Sequence, residues 1–162
     1  MICDATGGFG RDALVFASLG CQVVILERSM IVYELLRDAI NRAQCDEQMA
    51  ETAARMNVHH LDSTLLPSNW PHQTRPHTIY LDPMYPRSSK SAAAKKEMQT
   101  LKRLFAEDSD ESNEANLLEA ALKTATHRVV IKRPKNAPPI NGSAPVGEIK
   151  SVNTRYDIYH PG

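Results

Sequence analysis

The stretch DATGGFGRDA (residues 4–13) decides how the beginning of this chain folds. It follows a short apolar run and carries Gly8 and Gly10 in the spacing Gly-x-Gly-x-x-Ala. Glycines let the backbone adopt positive φ and approach a ligand closely. Apolar residues at helical spacing then run to Leu19, and no Lys-Ser or Lys-Thr pair follows the glycines, which excludes a phosphate-binding P-loop. A strand, a glycine-rich turn and a helix in this order predict a turn that binds a nucleotide-like cofactor.

Strands and helices alternate along the rest of the chain. The pattern predicts helices over residues 11–19, 30–43 and 115–126, a further helix beginning near Ser91, strands over 21–26, 56–61, 77–81 and 127–134, and one or two final strands within 148–160. This alternation is typical of a doubly wound α/β fold, a mostly parallel sheet with helices on both faces. In such sheets ligands bind beyond the carboxyl ends of the strands.

Composition indicates a globular, charge-neutral chain. Its 162 residues fit one domain, and its formal net charge of zero means that any surface for nucleic acid is local. The three cysteines are scattered and form no Cys-x-x-Cys pair, which fits a reducing cytoplasm and argues against a disulfide framework. No apolar run is long enough to cross a bilayer, so we expect a cytoplasmic protein without a membrane partner.

The first predicted strand is short. Only three residues precede the acid that opens the glycine-rich turn, whereas a core strand usually runs about five or six residues. We therefore expect residues 1–162 to be a single domain that lacks an N-terminal portion and is cut at its first strand.

Acidic residues follow the predicted strand ends: Asp4, Glu27, Asp62 and Asp82. Because parallel strands end at one edge of a sheet, we expect these side chains to surround one cleft. Glu27 can accept hydrogen bonds from both hydroxyls of a ribose. Asp4 would repel a dinucleotide pyrophosphate but attract the sulfonium and ammonium groups of S-adenosylmethionine. The acids favour S-adenosylmethionine as the cofactor, and a nicotinamide-dependent oxidoreductase is the alternative.

The stretch IYLDPMYP (residues 79–86) ends a predicted strand on an acid, two prolines and an aromatic residue. It is similar to the (Asp/Asn)-Pro-Pro-aromatic motif of methyltransferases that modify amino groups of bases, with Met84 in place of the second proline. In that motif the carboxylate and the first proline's carbonyl accept the N–H groups of the amine, and the ring stacks on the base. We therefore expect Asp82, Pro83 and Tyr85 to be catalytic.

Five segments together resemble one family: DATGGFGRDALVFASLGCQVVILER, YLDPMYP, KSAAAKKEM, RVVIKRP and RYDIY. Over essentially its whole length the chain is similar to the RsmJ-type bacterial enzymes, the 16S rRNA (guanine(1516)-N(2))-methyltransferases. The resemblance implies a Rossmann-like class I methyltransferase fold with a C-terminal antiparallel strand or hairpin. It also implies S-adenosylmethionine as cofactor, 16S rRNA or the small ribosomal subunit as partner, and a further N-terminal segment.

The resemblance also implies cofactor contacts at Arg11, Asp12, Glu27, Arg28, Asp62, Ser63 and Asp82, which add to Asp4, Gly8 and Gly10. The family usually has two small hydroxyl residues where Asp62 and Ser63 stand. An acid at position 62 could instead accept the adenine amino group.

Basic residues cluster after the DPMYP turn and at the end of the predicted strand 127–134: Arg87, Lys90, Lys95, Lys96, Lys132 and Arg133. Positive charge beside the target pocket would hold RNA phosphates. For the stretch after the turn the alternative is a solvated helix face, and for the whole chain it is a non-catalytic RNA-binding module. His59 and His60 are adjacent and would point to opposite faces of a strand, so we expect no metal site.

Overall fold

The computed structural model describes residues 1–83, 111–140 and 143–162. Its strands are β1 (Ile2–Asp4), β2 (Val23–Glu27), β3 (Met56–His60), β4 (Thr78–Leu81), β5 (Arg128–Pro134), β6 (Gly147–Lys150) and β7 (Thr154–Tyr159). Its helices are α1 (Arg11–Ser18), α2 (Met30–Gln44), α3 (Ala50–Ala53) and α4 (Glu111–Thr124), with a 3₁₀ helix at Ser63–Leu65. The short α3 and the 3₁₀ helix were not predicted. The helix expected near Ser91 lies outside the described residues.

The strands form one sheet in the order β3-β2-β1-β4-β5-β7-β6. Strands β3, β2, β1, β4 and β5 pair in parallel, whereas β7 runs antiparallel to both β5 and β6. The predicted Rossmann-like fold is therefore confirmed, and its C-terminal part is a hairpin. Strand β1 has β2 as its neighbour on one side and β4 on the other, so the strand order reverses direction between β1 and β4. Sheets of this kind bind ligands in the crevice at the carboxyl ends of two such strands.

Helices and loops cover both faces of the sheet. The face beneath α1 and α2 has the buried core Ala13, Ala17, Val23, Ile25, Leu36, Ile40 and Met56. The opposite face, beneath α4, has a core that includes Val24, Leu26, Ile79, Leu81, Leu118, Ala121 and Ile131. Successive residues of β2 alternate between these two cores, as expected for a strand that is buried on both faces. Within the described ranges, no helix is both long and apolar enough to cross a membrane.

The buried side of α2 differs from the predicted one. The apolar pattern predicts one side made of Ile31, Leu35, Leu36 and Ala39, but the side chains of Ile31 and Leu35 are 62% and 50% exposed. Val32 and Ile40 are buried with Leu36 instead. These three positions are four residues apart, so they form one buried strip along the helix.

Helix α1 packs on the sheet through small residues. Ala13 and Ala17 are fully buried, whereas Leu14, Val15 and Leu19 are exposed. Two alanines one turn apart allow the helix backbone to approach β1 and β2 closely, which brings the first turn of α1 next to the strand ends. This close approach places Asp12 in the candidate site.

Candidate active site

The glycine-rich turn between β1 and α1 lies directly on β2. The Gly7 amide donates a hydrogen bond to the Leu26 carbonyl oxygen at 2.9 Å. A Cβ at Gly7 would lie 2.4 Å from Ile25 Cγ2 and 3.0 Å from Leu26 O, so a side chain here would force the turn off the strand. The Gly-x-Gly-x-x-Ala spacing does not include Gly7. The one feature of the sequence that could have indicated Gly7 is its position directly before Gly8.

The two predicted glycines of the turn have separate roles. Gly8 and Gly10 have φ values of 50° and 71°, in the left-handed region that glycine tolerates. Gly10 is the N-cap of α1, and a Cβ there would lie 2.7 Å from Leu36 Cδ1. At Gly8 the nearest described atom to an added Cβ is the Thr6 carbonyl oxygen at 3.8 Å. Gly10 therefore permits the packing of α1, while the side of the turn at Gly8 has room for a ligand.

Glu27 connects this turn to the end of β2 by a hydrogen bond. Its Oε2 accepts a hydrogen bond from the Gly8 amide at 2.8 Å, and its Oε1 accepts one from the Ser29 amide at 2.7 Å. Each carboxylate oxygen can accept more than one hydrogen bond, so Glu27 retains capacity for ribose hydroxyls. Arg28 is exposed directly after it, and Arg11 is exposed at the start of α1.

Lys132 joins two of the predicted site acids. Its Nζ lies 2.9 Å from Asp12 Oδ2 and 2.8 Å from Asp82 Oδ2. The hydroxyl of Tyr80 also donates to Asp12 Oδ2, at 2.6 Å. Side chains from α1, β4, β5 and the residue after β4 thus meet at the carboxyl edge of the sheet.

Asp4 lies beneath this group and is 2% exposed. Its Oδ1 accepts hydrogen bonds from the amide and the hydroxyl of Thr6, at 3.1 and 3.4 Å. The Thr6 hydroxyl oxygen in turn accepts a hydrogen bond from the Asp82 amide at 2.7 Å. Thr6 therefore connects the end of β1 to the end of β4. We call Asp4, Asp12 and Asp82 the carboxylate cluster.

The cluster has unusual protonation equilibria. Burial raises the pKa of Asp4 from 3.8 to about 7; the Thr6 amide opposes this rise, and the charges of Asp12 and Asp82 add to it. Burial would also raise the pKa of Asp12. Hydrogen bonds from Tyr80 and Lys132 outweigh this effect and lower the pKa of Asp12 below its ordinary value. Burial would lower the pKa of Lys132, yet its hydrogen bonds to Asp82 and Asp12 raise it. The Lys132 ammonium is therefore charged at neutral pH, and it partly balances the cluster.

Asp62 and Ser63 follow β3 as predicted, but their side chains have local partners. Asp62 Oδ1 accepts hydrogen bonds from the amide and hydroxyl of Thr64, at 2.9 and 2.8 Å, and so caps the 3₁₀ helix. The buried hydroxyl of Ser63 donates to the Ala5 carbonyl oxygen at 2.7 Å. Ser63 thus holds the end of β3 against the end of β1, and its side chain is directed at the backbone.

Lys132 and Arg133 do not form the shared RNA surface that the sequence predicts. Adjacent residues of a strand point to opposite faces. Lys132 reaches into the carboxylate cluster, whereas the Arg133 side chain is 3% exposed and lies 3.7 Å from Glu114 of α4. The other predicted RNA contacts, Arg87, Lys90, Lys95 and Lys96, lie outside the described residues, as does Tyr85.

The adjacent histidines of β3 point to opposite faces. The His59 ring packs edge-on against His72, while His60 packs against Tyr33 and its Nε2 lies 2.9 Å from the Arg28 carbonyl oxygen. Across the part of the chain that the structure describes, no group of three or more His, Cys, Asp or Glu side chains could hold a metal ion.

Comparison with known proteins places this geometry in a family. Residues 1–161 match the SAM_MT family of SAM-dependent methyltransferases. The chain belongs to this family. The match covers nearly every residue, including the glycine-rich turn, Glu27 and the carboxylate cluster, so the predicted cofactor, S-adenosylmethionine, is that of the family.

Relatives of the SAM-dependent methyltransferase chain carry a more specific name. Proteins named ribosomal RNA small subunit methyltransferase J from Hydrogenovibrio crunogenus and Chromohalobacter salexigens are 51% and 46% identical to it, over 98% of this chain and 56% and 61% of their own lengths. These relatives confirm the resemblance to the RsmJ-type family. The chain spans less than two thirds of the length of each of them.

Solved structures agree with the fold. The SAM-dependent methyltransferase NGO1261 from Neisseria gonorrhoeae is 36% identical, with a TM-score of 0.81 over 99% of this chain and 65% of its own. The glycopeptide N-methyltransferase MtfA, solved with S-adenosylhomocysteine, is 15% identical with a TM-score of 0.56, over 98% of this chain and 53% of its own. The second likeness shows the fold alone, which is that of a class I methyltransferase.

The residues at the carboxyl edge fit S-adenosylmethionine. At Gly8 an added Cβ would have, among the described residues, only the Thr6 carbonyl oxygen within 4 Å, so this side of the turn is open. Glu27 has acceptor capacity for a ribose, and the carboxylate cluster suits a molecule that carries a sulfonium and an ammonium. A dinucleotide pyrophosphate would bring two negative charges to the same acids.

Proposed function

We propose that this chain is the catalytic domain of an enzyme that transfers a methyl group from S-adenosylmethionine to the exocyclic N2 amino group of a guanine in 16S rRNA. The observation that carries the proposal is the connection from the Asp82 amide to the Thr6 hydroxyl at 2.7 Å. It brings the Asp-Pro end of β4 beside the glycine-rich turn, so an amine acceptor and a cofactor site adjoin. The names of the relatives support the rRNA substrate.

The cofactor would be held along the strand ends. Glu27 would accept hydrogen bonds from the ribose hydroxyls, and the open side of the turn at Gly8 would lie against the cofactor. Asp4 and Asp12 would balance its positive charges, and Asp62 would accept from the adenine amino group. Arg11, Arg28 and Ser63 are proposed contacts by resemblance. When bound, S-adenosylmethionine supplies an electrophilic methyl group on a sulfonium.

Asp82 and Pro83 would hold the target amine. An exocyclic amine is a weak nucleophile because its lone pair is delocalised into the ring. The Asp82 carboxylate and the Pro83 carbonyl oxygen would accept its two N–H groups and orient its lone pair toward the methyl group, which is catalysis by positioning. Tyr85 would stack on the extruded base, a contact worth about 1–3 kcal/mol.

The substrate would be 16S rRNA or the small ribosomal subunit, in the cytoplasm. Arg87, Lys90, Lys95 and Lys96 directly follow the catalytic segment in sequence and are the proposed RNA contacts. Neither Lys132 nor Arg133 is proposed as one, because their charged groups face other protein side chains. Membership of the SAM-dependent family argues against the nicotinamide-dependent alternative.

A methyl-transfer assay tests the proposal. Small subunits from a strain that lacks the enzyme would be incubated with the full-length protein and tritium-labelled S-adenosylmethionine, and the labelled nucleoside would be identified. We expect N2-methylguanosine from wild type and strongly reduced label with Asp82→Ala. Naked 16S rRNA in parallel shows whether the assembled subunit is required. A different labelled nucleoside would contradict the proposed target, and Asp82→Ala with full activity would contradict the proposed site.

A further inference from the structure

The ammonium of Lys132 is directed inward, at two acids from distant parts of the chain. It lies 2.9 Å from Asp12 Oδ2 and 2.8 Å from Asp82 Oδ2. The side chains of Lys132, Asp12 and Asp82 are 28%, 34% and 40% exposed, so the bridge is partly shielded from water. A lysine that binds RNA phosphate must present its ammonium to solvent. The observed contacts indicate a different task.

We propose that Lys132 is a positioning residue for methyl transfer, one that holds the Asp82 carboxylate by its Oδ2 so that Oδ1 accepts the hydrogen bond of the target amine. This inference rests on the proposed function and deepens it. A carboxylate that ends a strand can rotate about its side-chain bonds, and a charge-assisted hydrogen bond restricts that rotation. Proper orientation of the acceptor matters because catalysis here depends on geometry.

Lys132 also limits the repulsion within the carboxylate cluster. Asp4 from β1, Asp12 from α1 and Asp82 after β4 converge, and the hydroxyl of Tyr80 donates to the same oxygen of Asp12 as Lys132 does. Without a cation, like charges this close favour uptake of a proton. A protonated cluster would offer fewer acceptors to the amine and less negative charge to the cofactor.

Lys132 also has a cross-strand neighbour. Tyr156 of β7 lies opposite Lys132 in the antiparallel pair of β5 and β7. Lys132 is the cation that lowers the pKa of Asp12. Its pKa is raised by Asp82 and Asp12 against the effect of burial, so it stays protonated and does not take the proton that leaves the amine. Its contribution is therefore orientation and charge.

The contact between Lys132 and Asp12 also links Asp82 to the glycine-rich turn. Asp12 lies in the first turn of α1, directly after the glycine-rich turn. Lys132 thus ties the element that adjoins the cofactor to the residue that accepts from the target amine. A shift of the turn on cofactor binding would be transmitted to Asp82 through one side chain.

Variants of Lys132 separate these roles. Lys132→Met keeps the length of the side chain and removes its charge, Lys132→Arg keeps the charge, and Lys132→Gln provides a second neutral variant should methionine disturb packing. Lys135→Met is the matched control, because Lys135 is an exposed lysine just beyond the same strand. The measurements are kcat and KM for small subunits across the neutral pH range, RNA affinity against salt, and thermal unfolding.

We expect Lys132→Met and Lys132→Gln to lower kcat by about 10- to 100-fold, the factor that corresponds to one charge-assisted hydrogen bond. The acid limb of their activity should move to higher pH, and RNA affinity should be unchanged. Lys132→Arg should recover the wild-type pH profile, and Lys135→Met should match wild type throughout.

Other results would overturn the inference. Weaker RNA binding with a smaller salt dependence, at unchanged kcat and pH profile, would make Lys132 a phosphate contact. A lower unfolding temperature with unchanged kcat and pH profile would make it structural. If wild-type enzyme transfers methyl groups normally and Lys132→Met does too, this inference alone fails. If wild type transfers none, the proposed function fails and this inference with it.

Discussion

Glu27 and Asp4 are carboxylates at neighbouring strand ends, yet their surroundings suit them to different tasks. Glu27 is partly exposed and accepts two backbone N–H groups. Asp4 is almost fully buried, and its raised pKa of about 7 lies close to physiological pH. An accessible carboxylate suits hydrogen bonds to a ribose. The protonation of a buried carboxylate whose pKa is near 7 depends on the charges of its neighbours.

Replacing Glu27 should weaken cofactor binding. Glu27→Ala removes the charged acceptor that is proposed for the ribose hydroxyls, and we expect the binding free energy of S-adenosylmethionine to weaken by about 1.5–3 kcal/mol. Isothermal titration calorimetry measures this directly. Because Glu27 also holds the Gly8 and Ser29 amides, Glu27→Gln serves as a control that keeps the size of the side chain. Unchanged affinity in Glu27→Ala would remove this residue from the cofactor site.

Asp4 should make stability depend on pH. Its folded pKa is raised from 3.8 to about 7, so the folded state binds the proton more tightly than the unfolded state. The resulting stabilisation is complete below the unfolded pKa and is lost as pH rises through the folded pKa. The free energy of unfolding of Asp4→Asn should therefore increase relative to that of wild type as pH rises from 3.8 to about 7. The difference should reach a few kcal/mol, at about 1.4 kcal/mol per pKa unit.

Urea unfolding of wild type and Asp4→Asn at a series of pH values measures this difference. Parallel dependence on pH in the two proteins would show that Asp4 is not the group that titrates.

At the scale of elements, the glycine-rich turn depends on one glycine that its motif does not mark. An added Cβ at Gly7 would lie 2.4 Å from Ile25 Cγ2, whereas at Gly20, where φ is 88°, it would have no described heavy atom within 4 Å. Gly7→Ala should destabilise the protein by about 1–3 kcal/mol through overpacking. Gly20→Ala should cost about 1–2 kcal/mol through backbone strain alone.

The cofactor distinguishes the two glycine variants. Gly7→Ala should also weaken S-adenosylmethionine binding, because it lifts the turn from Leu26. Gly20→Ala should leave the affinity unchanged, since Gly20 lies at the far end of α1. Calorimetry on both variants, with urea unfolding alongside, checks this. Equal affinities would mean that the position of the turn does not matter to the site.

The sequence predicts elements better than it predicts their contacts. Alternation and glycine spacing identify β1, α1, β2 and α2 because these signals are local. The buried strip of α2 escapes prediction, since Ile31 and Val32 are both apolar and only the packing against the sheet selects Val32. Ser63 likewise follows a strand as expected, but its bond to the Ala5 carbonyl depends on how β3 and β1 are placed.

For the whole molecule, the sheet order creates the site. The sequence predicts that Asp4, Asp82 and Lys132 end parallel strands at one edge. It does not predict that Lys132 contacts Asp12 and Asp82, because that contact requires β4 to lie between β1 and β5 and α1 to cover the same face. These contacts favour the positioning role proposed for Lys132 over the RNA contact expected from its charge.

RNA binding should depend on lysines that follow the DPMYP segment in sequence. Reversing Lys95 and Lys96 to Glu should weaken binding to 16S rRNA and flatten its dependence on salt, because fewer counterions are released. Cofactor affinity should not change. Reversing Lys123 and Lys150, two exposed lysines in α4 and β6, is the control and should have little effect. An unaltered slope of log affinity against log salt would make the first pair part of a solvated surface.

The central claim is that the Asp82 segment holds a base amine for methylation, and two substitutions of Tyr85 test it most directly. Tyr85→Ala removes the ring that is proposed to stack on the extruded base, whereas Tyr85→Phe keeps the ring and loses only the hydroxyl. The measurement is the rate of methyl transfer to small ribosomal subunits by each full-length variant at saturating cofactor. We expect Tyr85→Phe to retain most of the wild-type rate and Tyr85→Ala to lose most of it, with cofactor affinity nearly intact in both. Equal, near-wild-type rates in the two variants would contradict the claim.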